Sequence, residues 1–206
     1  MQYKVLNLLP EFETNTYLVW DELSGEAVII DPAMPSQDLL DFISKQSLTV
    51  KYIINTHGHA DHIGGNAYFH QKTNAPVCIH KDDAAMLENS KLNLSAFLNA
   101  EVTQPGAQIL LQDRDTLRLG EKTLQMIHTP GHTKGGICIM TDNLLFSGDT
   151  LFRLDVGRTD LPGGDFEALK SSIRTKLFNL DDALIVLPGH GPASTIGNEK
   201  KLNPYL

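Results

Sequence analysis

Apolar and polar positions change period several times along the 206 residues. Short runs rich in β-branched and aromatic residues at 3–8, 16–20 and 27–30 read as strands, and the polar stretch 21–25 between the last two reads as a hairpin turn. The spacing then becomes helical: Leu39, Leu40, Ile43 and Ser47 stand at i, i+1, i+4 and i+8 behind Ser36, whose hydroxyl suits an N-cap. An apolar run at 50–54 predicts a buried strand, followed by a helix from near Asn66, a strand at 77–79 and a helical stretch at 82–87. The second half brings strands at 109–111, 116–119, 123–128, 136–141 and 144–147. A helix follows from Asp165, with Phe166, Leu169, Ile173 and Leu177 on one stripe, and 183–187 closes as a strand. Residues 89–108 have weak periodicity and receive no element. The halves echo each other, each running through strands, helix and strand to a histidine-bearing loop. No repeat or Pro/Ser-rich linker divides them, so a single domain over 1–206 is expected, with two sheets and helices on the outer faces.

Charge narrows the partners. Asp plus Glu number 25 against 17 for Lys plus Arg, a formal charge of −8 that repels a phosphate backbone. Nucleic acid is therefore not an expected partner. The N-terminus has no basic segment followed by an apolar run, and no apolar stretch is long enough to span a bilayer, so no membrane association is expected and the chain is read as cytoplasmic. Cys78 and Cys138 lie inside strand-like runs and are expected to be reduced, buried and space-filling.

The chemistry concentrates where strands end. His57, His59, Asp61 and His62 follow the 50–54 run directly. Alternate residues of an extended segment face one side, so His57 and His59 converge on one ion while Asp61 and His62, past the turn, reach towards another. Four residues cannot complete two sites. His132, Asp149 and His190 each follow an apolar strand and a Pro or Gly that turns the chain, which places them on a rigid scaffold that can aim them. The division that closes is His57, His59 and His132 on one ion, Asp61, His62 and His190 on the other, with Asp149 bridging. Imidazole and carboxylate suit divalent zinc, with iron or manganese accepted in overlapping geometries. His70, His80 and His128 are read as non-ligands. Asp31, before Pro32 at a strand end, is read either as a turn former or as an acceptor for the N–H of a ligand histidine.

Taken in order, Asp31, the 57–62 cluster, His132, Asp149 and His190 resemble the five motifs of the metallo-β-lactamase superfamily, which span the chain. The resemblance implies an α+β, four-layer αββα sandwich with two metals at the edge where the sheets meet. Asp149 stands where true β-lactamases have Cys, and His59 where flavodiiron proteins have Glu, so antibiotic hydrolysis is not expected. The 148–152 run followed by 157–160, with the 195–197 and 203–205 endings, resembles the short bacterial hydroxyacylglutathione hydrolase (glyoxalase II) group. In that group a basic residue matching Arg158 contacts the glycine carboxylate of glutathione. Two departures are visible: the chain ends soon after His190, without the C-terminal helical domain that supplies other glutathione contacts, and Asp160 stands where those enzymes commonly have Tyr.

The resemblance thus implies hydrolysis of an S-acylglutathione thioester, S-D-lactoylglutathione being the type substrate. Asp61 is a candidate for orienting the attacking hydroxide. The 157–160 run also resembles persulfide dioxygenases, whose single iron would use His57, His132 and Asp149. A lactonase would not need Arg158, and a nuclease would need a basic surface.

Overall fold

The computed structural model describes residues 1–97 and 101–206. Its first sheet is laid down by β1 (Gln2–Leu9), β2 (Thr14–Trp20), β3 (Glu26–Ile30), β4 (Thr49–Ile54), β5 (Val77–His80) and β6 (Ile109–Leu111), in that spatial order. The first three strands are antiparallel, whereas β3 to β6 run parallel and therefore need crossovers. These carry α1 (Gln37–Lys45), α2 (Ala60–Ile63), α3 (Asn66–Thr73) and α4 (Ala84–Leu87). The Ser36 side chain caps α1 by accepting from the Leu39 N–H, as its position predicts.

The second sheet comprises β7 (Thr116–Leu119), β8 (Lys122–His128), β9 (Ile137–Thr141), β10 (Leu144–Gly148), β13 (Ile185–Pro188) and β14 (Ser194–Thr195), with a separate small hairpin of β11 (Leu151–Phe152) and β12 (Asp155–Val156). α5 (Phe166–Ser172) continues through a wider turn to Leu177, and α6 (Ile196–Leu202) follows β14.

Strand alternation decides the layers. Tyr17, Val19, Val28, Ile30 and Ile54 from the first sheet meet Leu124, Met126, Ile139, Phe146 and Leu187 from the second in a shared core. Tyr17 and Phe146 pack edge to face across it, with ring centroids 5.0 Å apart. The neighbouring residues point the other way: Leu18, Ile29, Ile53 and Ile79 pack on Leu39, Ile43, Ile63 and Phe69, and Cys138, Leu145 and Val186 on Leu169, Ile173, Leu177 and Ile196. The result is an αββα sandwich. Each such large apolar side chain, fully buried, contributes about 1.5–3 kcal/mol. Both cysteines are free and buried, as expected.

Several bounds differ from the sequence reading. The two-residue strands of the small hairpin and β14 are too short to show a period. The helical stretch at 82–87 shrinks to Ala84–Leu87, and the closing strand shifts to Ile185–Pro188. Among the described part of 89–108 there is a single short helical turn, Ser95–Phe97. Among the described residues no helix is long and apolar enough to cross a membrane.

Candidate metal centre

Every residue singled out as a ligand comes from a strand end at one edge of the sandwich. His57 and His59 lie between β4 and α2, Asp61 and His62 in the single turn of α2 that follows, His132 between β8 and β9, Asp149 just after β10 and His190 just after β13. The structure brings His57, His59 and His132 into one group and Asp61, His62 and His190 into another, the potential donor atoms of each lying within 4.8 Å of one another. Asp149 stands between them: its Oδ2 is 3.4 Å from the Nε2 atoms of both His132 and His190, and its Oδ1 is 3.6 Å from His62 Nε2. Inside the groups, His59 Nδ1 and His132 Nε2 are 2.9 Å apart, as are His62 Nε2 and His190 Nε2 at 3.1 Å.

The outward nitrogens fix which ring atom faces inward. His132 Nδ1 donates to the Arg158 carbonyl at 2.7 Å and His190 Nδ1 to the Phe12 carbonyl at 2.8 Å. His62 Nδ1 donates to Asp31 Oδ2 at 3.0 Å. A carbonyl or carboxylate only accepts, so in these three rings Nδ1 holds its proton outward and Nε2 is the nitrogen left facing the interior, with a lone pair to offer whenever the ring is neutral. Asp31 combines both roles considered for it: its φ of 49° turns the chain before Pro32, and its carboxylate also accepts from the Thr56 N–H and hydroxyl at 2.7 and 2.6 Å. The site is tightly built. Gly148 has φ +49°, and a Cβ there would run into the Thr56 side chain; one at Gly189 would collide with Asp149 Oδ1.

The two groups differ electrically. Burial, with neighbouring imidazoles acting the same way, holds His57 well below its ordinary value and His59 down to about 3, so both are neutral donors. Burial also works against a proton on His62, but the carboxylates of Asp61, Asp149 and Asp31 outweigh it and hold that ring well above its ordinary value. His190 is raised to about 10, burial again being overcome by its contacts with Asp149 and Asp61. Those imidazoles in turn keep Asp61 and Asp149 below the usual carboxylate range despite burial.

The donor set suits a divalent cation. His57 Nε2 and Asp149 Oδ1 are buried without any hydrogen-bond partner, and leaving such atoms unpaired is costly unless something positive meets them. Above the groups opens a cavity of about 650 Å³, reached by His59, Asp61, His132, Asp149 and His190 at its floor and walled by Phe12, Leu94, Phe97, Phe152, Leu161 and Arg158. Arg158 is exposed and already committed: its Nε and Nη2 each donate at 2.8 Å to the Asp160 carboxylate.

Of two further groupings among the described residues, Asp31 with His57 and His62 overlaps the site, and the other lies apart from it and was not foreseen. His80, Asp82 and His128 also bring donor atoms within 4.8 Å. The His80 and His128 rings are stacked with 4.0 Å between centroids and 13° between planes, so their in-plane lone pairs run parallel instead of converging. His128 Nε2 is spent on the Lys134 carbonyl, and His80 Nδ1 accepts from the Asp82 N–H. This contact packs one sheet on the other. Sequence reading also gave no weight to Thr56, or to the Phe12 and Arg158 carbonyls; the latter are backbone atoms and leave no residue-type signal.

A sequence profile described as the metallo-beta-lactamase superfamily matches residues 9–190. The chain belongs to that superfamily. It is 36% identical over 204 residues to hydroxyacylglutathione hydrolase GloC of Haemophilus influenzae, covering 95% of this chain and 93% of that one. Among solved structures, BLEG-1 B3 metallo-beta-lactamase superposes with a TM-score of 0.94 at 37% identity, over 100% of this chain and 99% of that one. TTHA1623, solved in a di-iron-bound form, gives 0.86 at 35% identity over 98% of this chain and 100% of that one. This superfamily member is therefore a metal-dependent enzyme of the metallo-hydrolase kind.

Proposed function

We propose that the protein hydrolyses thioesters with two divalent metal ions, and that its substrates are S-acylglutathiones. The observation that carries this reading is the complete donor set: two groups of three with a carboxylate between them and buried atoms awaiting a cation. His57, His59 and His132 would hold one ion, Asp61, His62 and His190 the other, and Asp149 both. Zinc is the first choice for such donors, with iron or manganese as substitutes. When bound, a pair of divalent ions supplies a water acidified to a pKa of about 7 and positive charge facing the carbonyl oxygen.

The chain's own residues do the rest. Asp61 Oδ2 lies 3.4 Å from the Nε2 atoms of both His62 and His190 and accepts from the Thr14 hydroxyl at 3.3 Å, which fixes a carboxylate at the cavity floor where it can accept a hydrogen from the attacking water. A thiol of pKa about 8.5 leaves as the thiolate, so no dedicated acid is needed. Aromatic and aliphatic walls exclude water around the acyl group. Arg158 is the cation at the mouth, and a substrate carboxylate reaches it by displacing Asp160. Support for the glutathione carrier comes from the similarity to GloC.

The test is a panel assayed on metal-loaded and chelator-stripped protein: S-D-lactoylglutathione, a neutral thioester, a lactone, a β-lactam, and glutathione persulfide with oxygen uptake recorded. The proposal expects metal-dependent thioester cleavage well above the others. Persulfide-dependent oxygen uptake with one ion per chain would replace it with the dioxygenase, and dominant lactone or β-lactam cleavage would replace the substrate class.

A further inference from the structure

Asp83 lies outside both groups of potential ligands, yet it touches the two loops that carry the first of them. Its carboxylate is buried, with the residue 1% exposed. Oδ2 accepts from the Gly58 N–H at 3.1 Å and from the Thr133 hydroxyl at 2.7 Å, and Oδ1 accepts from the Gly135 N–H at 2.7 Å. Gly58 sits between His57 and His59, and Thr133 directly follows His132. One carboxylate therefore ties the β4–α2 loop to the β8–β9 loop, across sequence separations of 25 and 50 residues.

Two features show that this arrangement has shaped its surroundings. Asp83 occupies the N-cap position of α4, where an Asp side chain ordinarily accepts from the first turn of the helix, but it makes no such bond. Its oxygens serve the loops instead. The loops also approach closely enough to require glycine: a Cβ at Gly135 would lie 2.6 Å from the Asp83 nitrogen, and one at Gly58 would lie 2.5 Å from Met86 Cβ.

We propose that Asp83 is the positioning residue of the His57, His59 and His132 metal site, setting the distance between the two loops that supply it. The inference rests on the two-metal reading above. Without the carboxylate, the Gly58 and Gly135 N–H groups and the Thr133 hydroxyl lose their shared acceptor, and the loops are free to separate. Outer partners of this kind are worth about ten- to hundredfold in metal affinity.

The experiment measures zinc affinity by chelator competition in the full chain, in His190→Ala, and in each combined with Asp83→Asn. His190→Ala leaves only the His57, His59 and His132 set complete, so its remaining ion reports that set. Asn keeps the volume of Asp83, but its amide group must face at least one N–H it cannot accept from, so the variant folds with its tie impaired. The expected result is a ten- to hundredfold weaker remaining ion in Asp83→Asn/His190→Ala, and in Asp83→Asn alone the selective weakening of one of two ions. Equal weakening of both ions, or wild-type affinity for both, overturns the proposal. A wild-type chain that takes up only one ion contradicts the two-metal reading, and the comparison in His190→Ala still decides the role of Asp83.

Discussion

Asp31→Asn removes one negative charge and reverses two hydrogen bonds with almost no change of shape. The site is 1% exposed, and its φ of 49° is one that Asn accepts readily, so the backbone should stay in place. The amide oxygen can go on accepting the Thr56 N–H now held at 2.7 Å, since the opposite orientation would set two N–H groups against each other. The amide NH2 then replaces Oδ2, which accepts from the Thr56 hydroxyl at 2.6 Å and from His62 Nδ1 at 3.0 Å. A hydroxyl can rotate to accept; His62 must move its proton to Nε2. That nitrogen is the one 3.1 Å from His190 Nε2 and 3.4 Å from Asp61 Oδ2, and once protonated it has no lone pair for a metal. A lost charge-assisted hydrogen bond is worth about 1.5–3 kcal/mol. The usual ten- to hundredfold effect of an outer partner on metal affinity corresponds to about 1.4–2.7 kcal/mol. The two routes agree. Chelator-buffered zinc titration of the variant should show one of two ions weakened by that factor and the other shifted less than about threefold. If both ions bind as in the wild type, Asp31 does not set the His62 tautomer.

Asp149→Ala should weaken both ions, each by more than the roughly hundredfold upper limit for an outer partner, and lower thioesterase activity more than any single histidine replacement, because its oxygens approach both groups; metal counts per chain would check it. Arg158→Ala should lower kcat/KM for a glutathione thioester by less than about fivefold, because an exposed pair such as Arg158 with Asp160 is worth at most about 1 kcal/mol and the substrate must first displace Asp160. A tenfold or greater loss confined to glutathione thioesters would show that Arg158 binds the substrate carboxylate more strongly than this. Burial pushes Cys78 up to about 12 and Cys138 up to about 11, so the thiolate fractions rise only at higher pH; a disulfide reagent at pH 8 should label neither thiol in folded protein and both after denaturation.

The layers were legible because their signal is local. The 50–54 run is apolar on both faces, Lys51 apart, because Tyr52 and Ile54 of β4 meet the second sheet while Val50 and Ile53 meet the helices, and Leu169, Ile173 and Leu177 show their stripe because they all meet one sheet. The histidine cluster was legible from where it stands, directly after such a strand. What escaped depends on contacts distant in sequence or carried by the backbone. Asp83 reads as a polar residue inside the helical stretch at 82–87; its use becomes visible only when residues 25 and 50 positions away come together around it. Asp83 stands at the N-cap position of α4, so the helix begins at Ala84. The His132 and His190 tautomers depend on the Arg158 and Phe12 carbonyls, which any residue type could supply. Arg158 stood out only through the family resemblance, as a match to a residue that contacts a glutathione carboxylate, and its commitment to Asp160 left no signal in the sequence.

Titrating zinc into chelator-stripped protein, while counting bound ions and recording thioester cleavage in the same samples, bears most directly on the central claim that seven side chains hold a pair of ions for thioester hydrolysis. Cleavage should rise with occupancy and level off at two ions per chain, and in Asp149→Ala neither the count nor the rate should reach that plateau. Full turnover at one ion per chain, or thioester cleavage that survives complete removal of metal, would contradict the account.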